Sequence, residues 1–239
     1  MEKKSNSMLD GVRTVFVDLD DTLWWFTENS KVAFLHTYEE AAREHTMPPY
    51  NLFHDIYLKR NNELWTLYHH GKIGKDYLVN ERFRYALDKS GYDGDCDELG
   101  AWMNEEYLSF LATLPRLVPG ARQLLQRLQE HGFEVNILSN GFKGVQLKKL
   151  QSAGIDGYIN RLVLSDDCGI TKPLRGIFDY ALEVCHASAD TTVMIGDDPD
   201  ADIAGAHNAG WRTIYFNLKN KPIAAGIADH EVSTLDEIV

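Results

Sequence analysis

Cysteine is scarce in this chain: three residues in 239, at Cys96, Cys168 and Cys185. They are odd in number, widely separated and fit no metal-ligand spacing. That excludes a disulfide framework and points to a reducing compartment, the cytoplasm. Long apolar runs are missing as well. No segment approaches the ~18 consecutive apolar residues of a membrane-spanning helix. Residues 1–10 are polar, lack the apolar stretch of a secretory signal, and read as a disordered leader. Positive charge is short, with 24 Lys and Arg against 36 Asp and Glu, a net charge of −12 and no basic run. A nucleic-acid polymer or an anionic membrane is therefore a poor partner. A small phosphate ester remains compatible if a metal and a single lysine neutralise it locally. No internal repeat or low-complexity segment interrupts the chain.

What is present is ordinary globular material, 44% hydrophobic and 11% aromatic, enough for a core without covalent staples. The informative stretch is Thr14-Val15-Phe16-Val17-Asp18-Leu19-Asp20-Asp21-Thr22-Leu23. A short β-branched run reads as a buried strand of a parallel sheet over Thr14–Leu19. Its carboxyl end carries Asp18 and Asp20, where open α/β sheets bind ligands. Two carboxylates ~5 Å apart repel by roughly 3 kcal/mol at an effective dielectric of 20. Such a pair calls for a cation between them or for a proton on one. The plainer reading is a strand-end aspartate capping a turn.

Downstream, the texture changes twice. Residues 25–113 are aromatic-rich, charged and helical in spacing, with helices expected from Ser30 as N-cap to His45, from Leu52 to near Gly71, over Lys75–Lys89 and over Asp97–Leu111. This reads as an inserted all-helical cap domain with its own small core, hinged near 24–28 and 112–119 and able to open and close over a site. Residues 11–24 and 114–239 read as the α/β core. Strands are expected over Thr14–Leu19, Phe133–Leu138, Arg161–Leu164, Thr192–Ile195 and Trp211–Phe216. Helices fall between them over Ala121–His131, Lys143–Ala153, Pro173–His186 and Ala201–Ala209, and Ser233 caps a last short one. Gly132, Gly154 and Gly210 close three of these helices, a βαβ pattern that predicts a doubly wound parallel sheet.

Each later strand also ends in polar residues. The same sheet edge collects Asp18, Asp20, Ser139, Asn140, Lys172, Asp197, Asp198 and Asp202. These are the parts of phosphoryl transfer: a carboxylate able to attack phosphorus, oxygen ligands suited to Mg²⁺, and a hydroxyl, a lysine and a helix N-terminus after Gly141 for the phosphate oxygens. Singly, each has a structural reading. Ser139 or Asn140 serves as a helix N-cap, Lys172 as a surface lysine ahead of Pro173, and Asp198 and Asp202 as acids at a helix start.

In this order the residues resemble the haloacid dehalogenase (HAD) superfamily. Asp18-Leu19-Asp20-Asp21-Thr22 matches its first motif, Ser139 the second, Lys172-Pro173 the third, and Gly196-Asp197-Asp198 with Asp202 the fourth. The resemblance implies that Asp18 is the nucleophile and that Asp20 is the acid, then the base. It implies that Asp18, the backbone carbonyl of Asp20 and Asp197 bind Mg²⁺, with Asp202 and Asp198 steadying the metal's waters. Lys172, Ser139 and Asn140 hold the phosphate, and Thr22 lies with them and orients the Asp18–Asp20 loop. An acid at Asp20 favours phosphate over halide chemistry, because a halide leaves without a proton. Leu64-Trp65 leading to Gly71-Lys72-Ile73, Ser139-Asn140-Gly141-Phe142, and Lys172-Pro173 followed by Ile177-Phe178-Asp179-Tyr180 look like the bacterial house-cleaning pyrimidine 5′-nucleotidases. A small-molecule phosphate ester is then the substrate and the protein a monomer or homodimer. Phosphoglycolate or sugar-phosphate phosphatase, phosphomutase, 2-haloacid dehalogenase and a non-catalytic binding protein are the alternatives. Trp24 and Trp25 are the best candidates to stack on a base, although aromatics at helical spacing, Trp65 and Trp102 included, are more often core. His69 and His70, adjacent on a helix, do not face one ligand, and nothing marks Cys168 as reactive.

Overall fold

A computed structural model describes residues 8–220 and 223–239 of the chain. In chain order it runs β1 (Thr14–Val17), α1 (Phe26–Ala41), α2 (Tyr50–His69), α3 (Lys75–Ser90), α4 (Cys96–Leu111), α5 (Ala121–Glu130), β2 (Glu134–Ser139), α6 (Lys143–Ser152), β3 (Arg161–Leu164), α7 (Ser165–Cys168), α8 (Arg175–Cys185), β4 (Thr192–Gly196), a π-helical turn Pro199–Ala204, α9 (Gly205–Asn208), β5 (Arg212–Phe216), β6 (His230–Val232) and a 3₁₀ turn Leu235–Glu237. The chain divides into two compact units. One takes the chain up to Phe26 and again from Pro115, and the other is Thr27–Leu114.

The first unit is a six-stranded sheet in the order β3-β2-β1-β4-β5-β6, every pair parallel. Parallel neighbours need crossover connections, and helices supply them. In register, Val17 lies between Ile137 and Ile195, so β1, β2 and β4 bring their carboxyl ends to one level. Phe16, Leu138, Val163 and Met194 join Ile177 and Phe178 of α8 in one buried cluster. Trp211 closes it, 4.9 Å from the Phe16 ring and 5.3 Å from Phe178. Each such side chain contributes roughly 1.5–3 kcal/mol by leaving water. Gly132 and Gly210, at φ 78° and 85°, let α5 and α9 stop in the left-handed region and turn at once toward β2 and β5.

Several boundaries differ from the sequence reading. The leader expected over 1–10 lies outside the described residues as far as residue 7. Beyond it, residues 8–11 form a turn and Leu9 is buried, with Val12 N donating to Leu9 O at 3.0 Å. β1 stops at Val17, two residues early, because the chain turns to present Asp18. Helix α1 starts at Phe26, and the Ser30 hydroxyl donates to Thr27 O instead of capping. α8 begins at Arg175, after a cis peptide joining Lys172 to Pro173. The expected helix Ala201–Ala209 is a π turn followed by the short α9. Strand β6 has no counterpart in the sequence reading. At the last turn the cap is Thr234, not Ser233, and Glu237 accepts from both backbone amides.

The helical unit has an aromatic centre. The Phe34 ring lies 5.5 Å from Phe53, 4.8 Å from Tyr57 and 5.9 Å from Phe83. Near it, the buried Arg82 donates to Asn104 Oδ1 and lies 5.8 Å from the Tyr107 ring centre. His69 packs on the Trp65 ring at 5.5 Å and His70 Nδ1 meets Thr66 O, so both histidines engage their own helix. Trp102 is 41% exposed, against the core reading of that residue. No helix among the described residues is long and apolar enough to cross a membrane.

Candidate active site

The expected site residues gather at the carboxyl edge of the sheet unit. Asp18 follows β1, and its amide donates to Ile195 O at 2.9 Å, which anchors it beside β4. Asp197 and Asp202 come from beyond β4. One carboxylate oxygen from each of Asp18, Asp197 and Asp202 lies within 4.8 Å of the other two. Gly196 is required for this closeness, because a Cβ there would collide with the Asp202 carboxylate. Asp202 Oδ2 accepts from Asp198 N at 3.1 Å.

Lys172 is the cation of this cluster and is buried. Its Nζ donates to Asp18 Oδ1 at 2.7 Å, to Asp202 Oδ1 at 2.6 Å and to Leu138 O at 2.8 Å. Burial works against the lysine's charge, but Asp18 and Asp202 outweigh it and its pKa is raised. Burial also pushes the Asp18 carboxyl well above the usual carboxylate range. Asp202, Asp197 and Asp20 push the same way, and Lys172 opposes them. The Asp202 carboxyl is raised by burial too, again against Lys172. Three carboxyl groups face one lysine, so acids outnumber cations in the cluster. All its donors are hard oxygens, so it fits a divalent cation such as Mg²⁺.

The other expected residues take distinct places. The Ser139 hydroxyl oxygen accepts from Gly141 N at 3.1 Å and from Gln146 Nε2 at 2.8 Å, which leaves its proton for an anion. The Asn140 side chain faces the Lys172 backbone. Its Nδ2 donates to Lys172 O at 2.9 Å and its Oδ1 accepts from Lys172 N at 2.8 Å, so it fixes the backbone that carries the lysine. Thr22 Oγ1 donates to Asp197 Oδ1 at 3.4 Å. Asp198 caps the π turn, accepting from Asp200 N and Ala201 N at 2.9 Å. The N-terminus of α6 is partly spoken for, since Lys143 N donates to Asp166 Oδ2 at 3.1 Å. Asp202, expected to act only on the metal's waters, has an oxygen inside the carboxylate group itself.

Asp20 stands apart from that group. Its Oδ1 accepts from Lys149 Nζ at 2.7 Å and its Oδ2 from Gln146 Nε2 at 2.9 Å. Lys149 lies 4.5 Å from the Trp24 ring centre and 5.5 Å from that of Phe26. Trp24 is fully buried, so it is core and not a platform for a base. Sequence reasoning missed Gln146 and Lys149. The available signal was their i, i+3 spacing in line with Leu150 and Ala153, which puts two polar residues on the buried face of α6.

Comparison with known proteins is consistent with this geometry. The family profile of haloacid dehalogenase-like hydrolases matches residues 12–210. The chain is 32% identical to the HAD-hydrolase YfnB of Bacillus subtilis over 95% of this chain and 93% of that protein. It superimposes on the magnesium-bound crystal structure of YfnB with a TM-score of 0.85, covering 95% of this chain and 96% of that one. It is 29% identical to the pyrimidine 5′-nucleotidase YjjG of Escherichia coli over 94% of this chain and 95% of that protein. With the pyrimidine 5′-nucleotidase PynA of Streptococcus pneumoniae it shares 30% identity, over 84% of this chain and 81% of that one.

Proposed function

The chain belongs to the haloacid dehalogenase-like hydrolases, and on that footing we propose that it is a Mg²⁺-dependent phosphomonoesterase that carries the phosphoryl group on Asp18, with nucleoside 5′-monophosphates as its first substrates. The observation that carries the reading is the group of Asp18, Asp197 and Asp202, with Asp18 and Asp202 buried and both paired to Lys172. Asp18, Asp197 and the backbone carbonyl of Asp20 would hold the ion, with Asp202 near enough to join them. Bound there, Mg²⁺ supplies a Lewis acid for the phosphoryl oxygens.

The chain's own groups do the rest. An oxygen of Asp18 attacks phosphorus, and the bond from phosphorus to the ester oxygen breaks. Asp20 gives its proton to that leaving oxygen. Lys172 and Ser139 hold the charge spread over the phosphoryl oxygens. Asp20, now a carboxylate, takes a proton from water as the water oxygen attacks phosphorus. The bond to Asp18 breaks, and inorganic phosphate leaves with the enzyme restored. The proton on Asp20 has no use in releasing a halide, which sets this reading apart from a dehalogenase. The nucleotide preference is supported by the likeness to YjjG and PynA across both units.

A phosphate-release panel over nucleoside monophosphates, sugar phosphates and small acid phosphates tests it. Nucleoside monophosphates should be turned over fastest. Asp18→Asn should lose about 10⁴-fold or more in kcat with an unchanged fold, and chelation should silence the enzyme until Mg²⁺ is restored. An active Asp18→Asn, or full rate in chelator, would overturn the nucleophile or the metal respectively.

A further inference from the structure

Asp20 has a support that the reaction scheme above does not use. Both of its carboxylate oxygens are engaged by one helix face. Lys149 takes Oδ1 at 2.7 Å and Gln146 takes Oδ2 at 2.9 Å. Neither donor is a surface residue. Gln146 is fully buried and Lys149 is 3% exposed, whereas the Asp20 side chain is 30% exposed. A buried lysine is costly to ionise unless it is held by an anion. Its Nζ also lies 4.5 Å from the Trp24 ring centre, a second attraction that holds it in place. The ammonium therefore has one place to be, and it fixes one oxygen of Asp20.

Gln146 adds a second link. The same Nε2 that reaches Asp20 Oδ2 donates to Ser139 Oγ at 2.8 Å. One amide thus joins the carboxylate after β1 to the hydroxyl at the end of β2. Gly141 leaves room for it, since a Cβ there would run into the Gln146 side chain. Asp20 and Ser139 are locked to a common strut on α6, while Asp20 is kept out of the group made by Asp18, Asp197 and Asp202.

We infer that Gln146 and Lys149 are positioning residues that hold the Asp20 carboxylate in one rotamer, aligned through Ser139 with the bound phosphate, for its proton transfers. The inference rests on the reading of Asp20 as acid and base. A positioned proton donor contributes typically 10²–10⁴-fold. Release of the side chain into several rotamers should lose part of that factor and little of substrate binding.

The test compares two kinds of ester. A nucleoside monophosphate leaves as a poor alkoxide that needs a proton. p-Nitrophenyl phosphate leaves as a stable phenolate that does not. Lys149→Met keeps the length and apolar stem of the side chain without its charge. It should lower kcat for the nucleotide by about 10–100-fold with KM within a factor of two to three. The pre-steady-state burst of p-nitrophenolate should fall at least tenfold less than that, and Lys149→Arg should recover most of the nucleotide rate. Gln146→Leu, read the same way, should show the same selective loss. In an Asp20→Asn background Lys149→Met should cost nothing further. If Lys149→Met slows both esters equally, or adds its full loss to that of Asp20→Asn, the residue is structural and the inference falls. If Lys149→Met and Gln146→Leu keep full nucleotide turnover while Asp20→Asn is inactive, the inference falls alone. If Asp20→Asn itself turns over nucleotides at the wild-type rate, the acid-base reading of Asp20 falls, and the inference with it.

Discussion

Lys172 in the sheet unit and Arg82 in the helical unit are both buried, and the two are held in opposite ways. In the sheet unit Lys172 sits between the carboxylates of Asp18 and Asp202. In the helical unit Arg82 donates to the neutral amide of Asn104 beside the face of Tyr107. Lys172 is outnumbered by acids. Arg82 joins α3 to α4 and has a buried Nε without a hydrogen-bond partner. A fold tolerates the first arrangement when another cation completes it and the second when packing outweighs the desolvation. The difference separates a cluster shaped by a ligand from one shaped by its own core.

The largest expected effect breaks the first arrangement. Lys172→Met removes the positive charge and leaves two buried carboxylates facing each other. Catalysis should fall about 10²–10³-fold, as for loss of one donor to a transferring group. Stability should fall by about 3–5 kcal/mol near neutral pH, the cost of breaking a buried pair. The sign with pH follows from the shifts. Asp18 and Asp202 both have raised pKa values from burial, and the lysine that opposed that rise is gone from the variant. A carboxyl raised by folding adds stability when protonated and loses it as pH climbs through its folded value. The melting temperature of Lys172→Met should therefore recover toward acid pH relative to wild type. A pH-independent gap would remove the electrostatic account.

A smaller effect breaks the second arrangement. Arg82→Met leaves the Asn104 oxygen unsatisfied, which costs about 1–3 kcal/mol and offsets part of that by freeing the desolvated guanidinium. The melting temperature should drop by a few degrees. Phosphate release should stay within twofold of wild type, and Mg²⁺ should raise the melting temperature by the same increment as in wild type. Loss of that increment in Arg82→Met would tie the helical unit to the ion and end the contrast.

Much of the sheet edge is legible in the sequence, and the reason is geometric. Parallel strands in register place their carboxyl ends together, so Asp18, Ser139 and Asp197 can be assigned to one edge from three short apolar runs. Lys172 and Asn140 follow the same logic, but only coordinates show that Asn140 spends both ends of its amide on the Lys172 backbone. The sequence puts Asp202 on an ordinary helix from Ala201. The π turn over Pro199–Ala204 brings it back over Gly196 instead. Gln146 and Lys149 escaped because helix periodicity is scored on apolar residues, and a polar residue on the inner face counts only as noise. Strand β6 escaped because His230 and Glu231 are exposed and only Val232 is buried, so no alternation announces it.

The smallest expected effect sorts the thiols of the two units without touching activity. Cys185, at the end of α8, is buried, and burial pushes its thiol up to about 11. At pH 8 about one part in a thousand is then thiolate, the form that reacts with alkylating agents. Cys96, at the start of α4, is also raised by burial but is half-exposed. Iodoacetamide at pH 8 should label Cys96 well before Cys185 in the folded protein, and denaturant should bring the two rates together. Peptide mapping by mass spectrometry reads the order. Equal labelling in the native state would mean that α8 opens locally as readily as the edge of the helical unit, and that the core around Phe178 and Trp211 is looser than its packing implies.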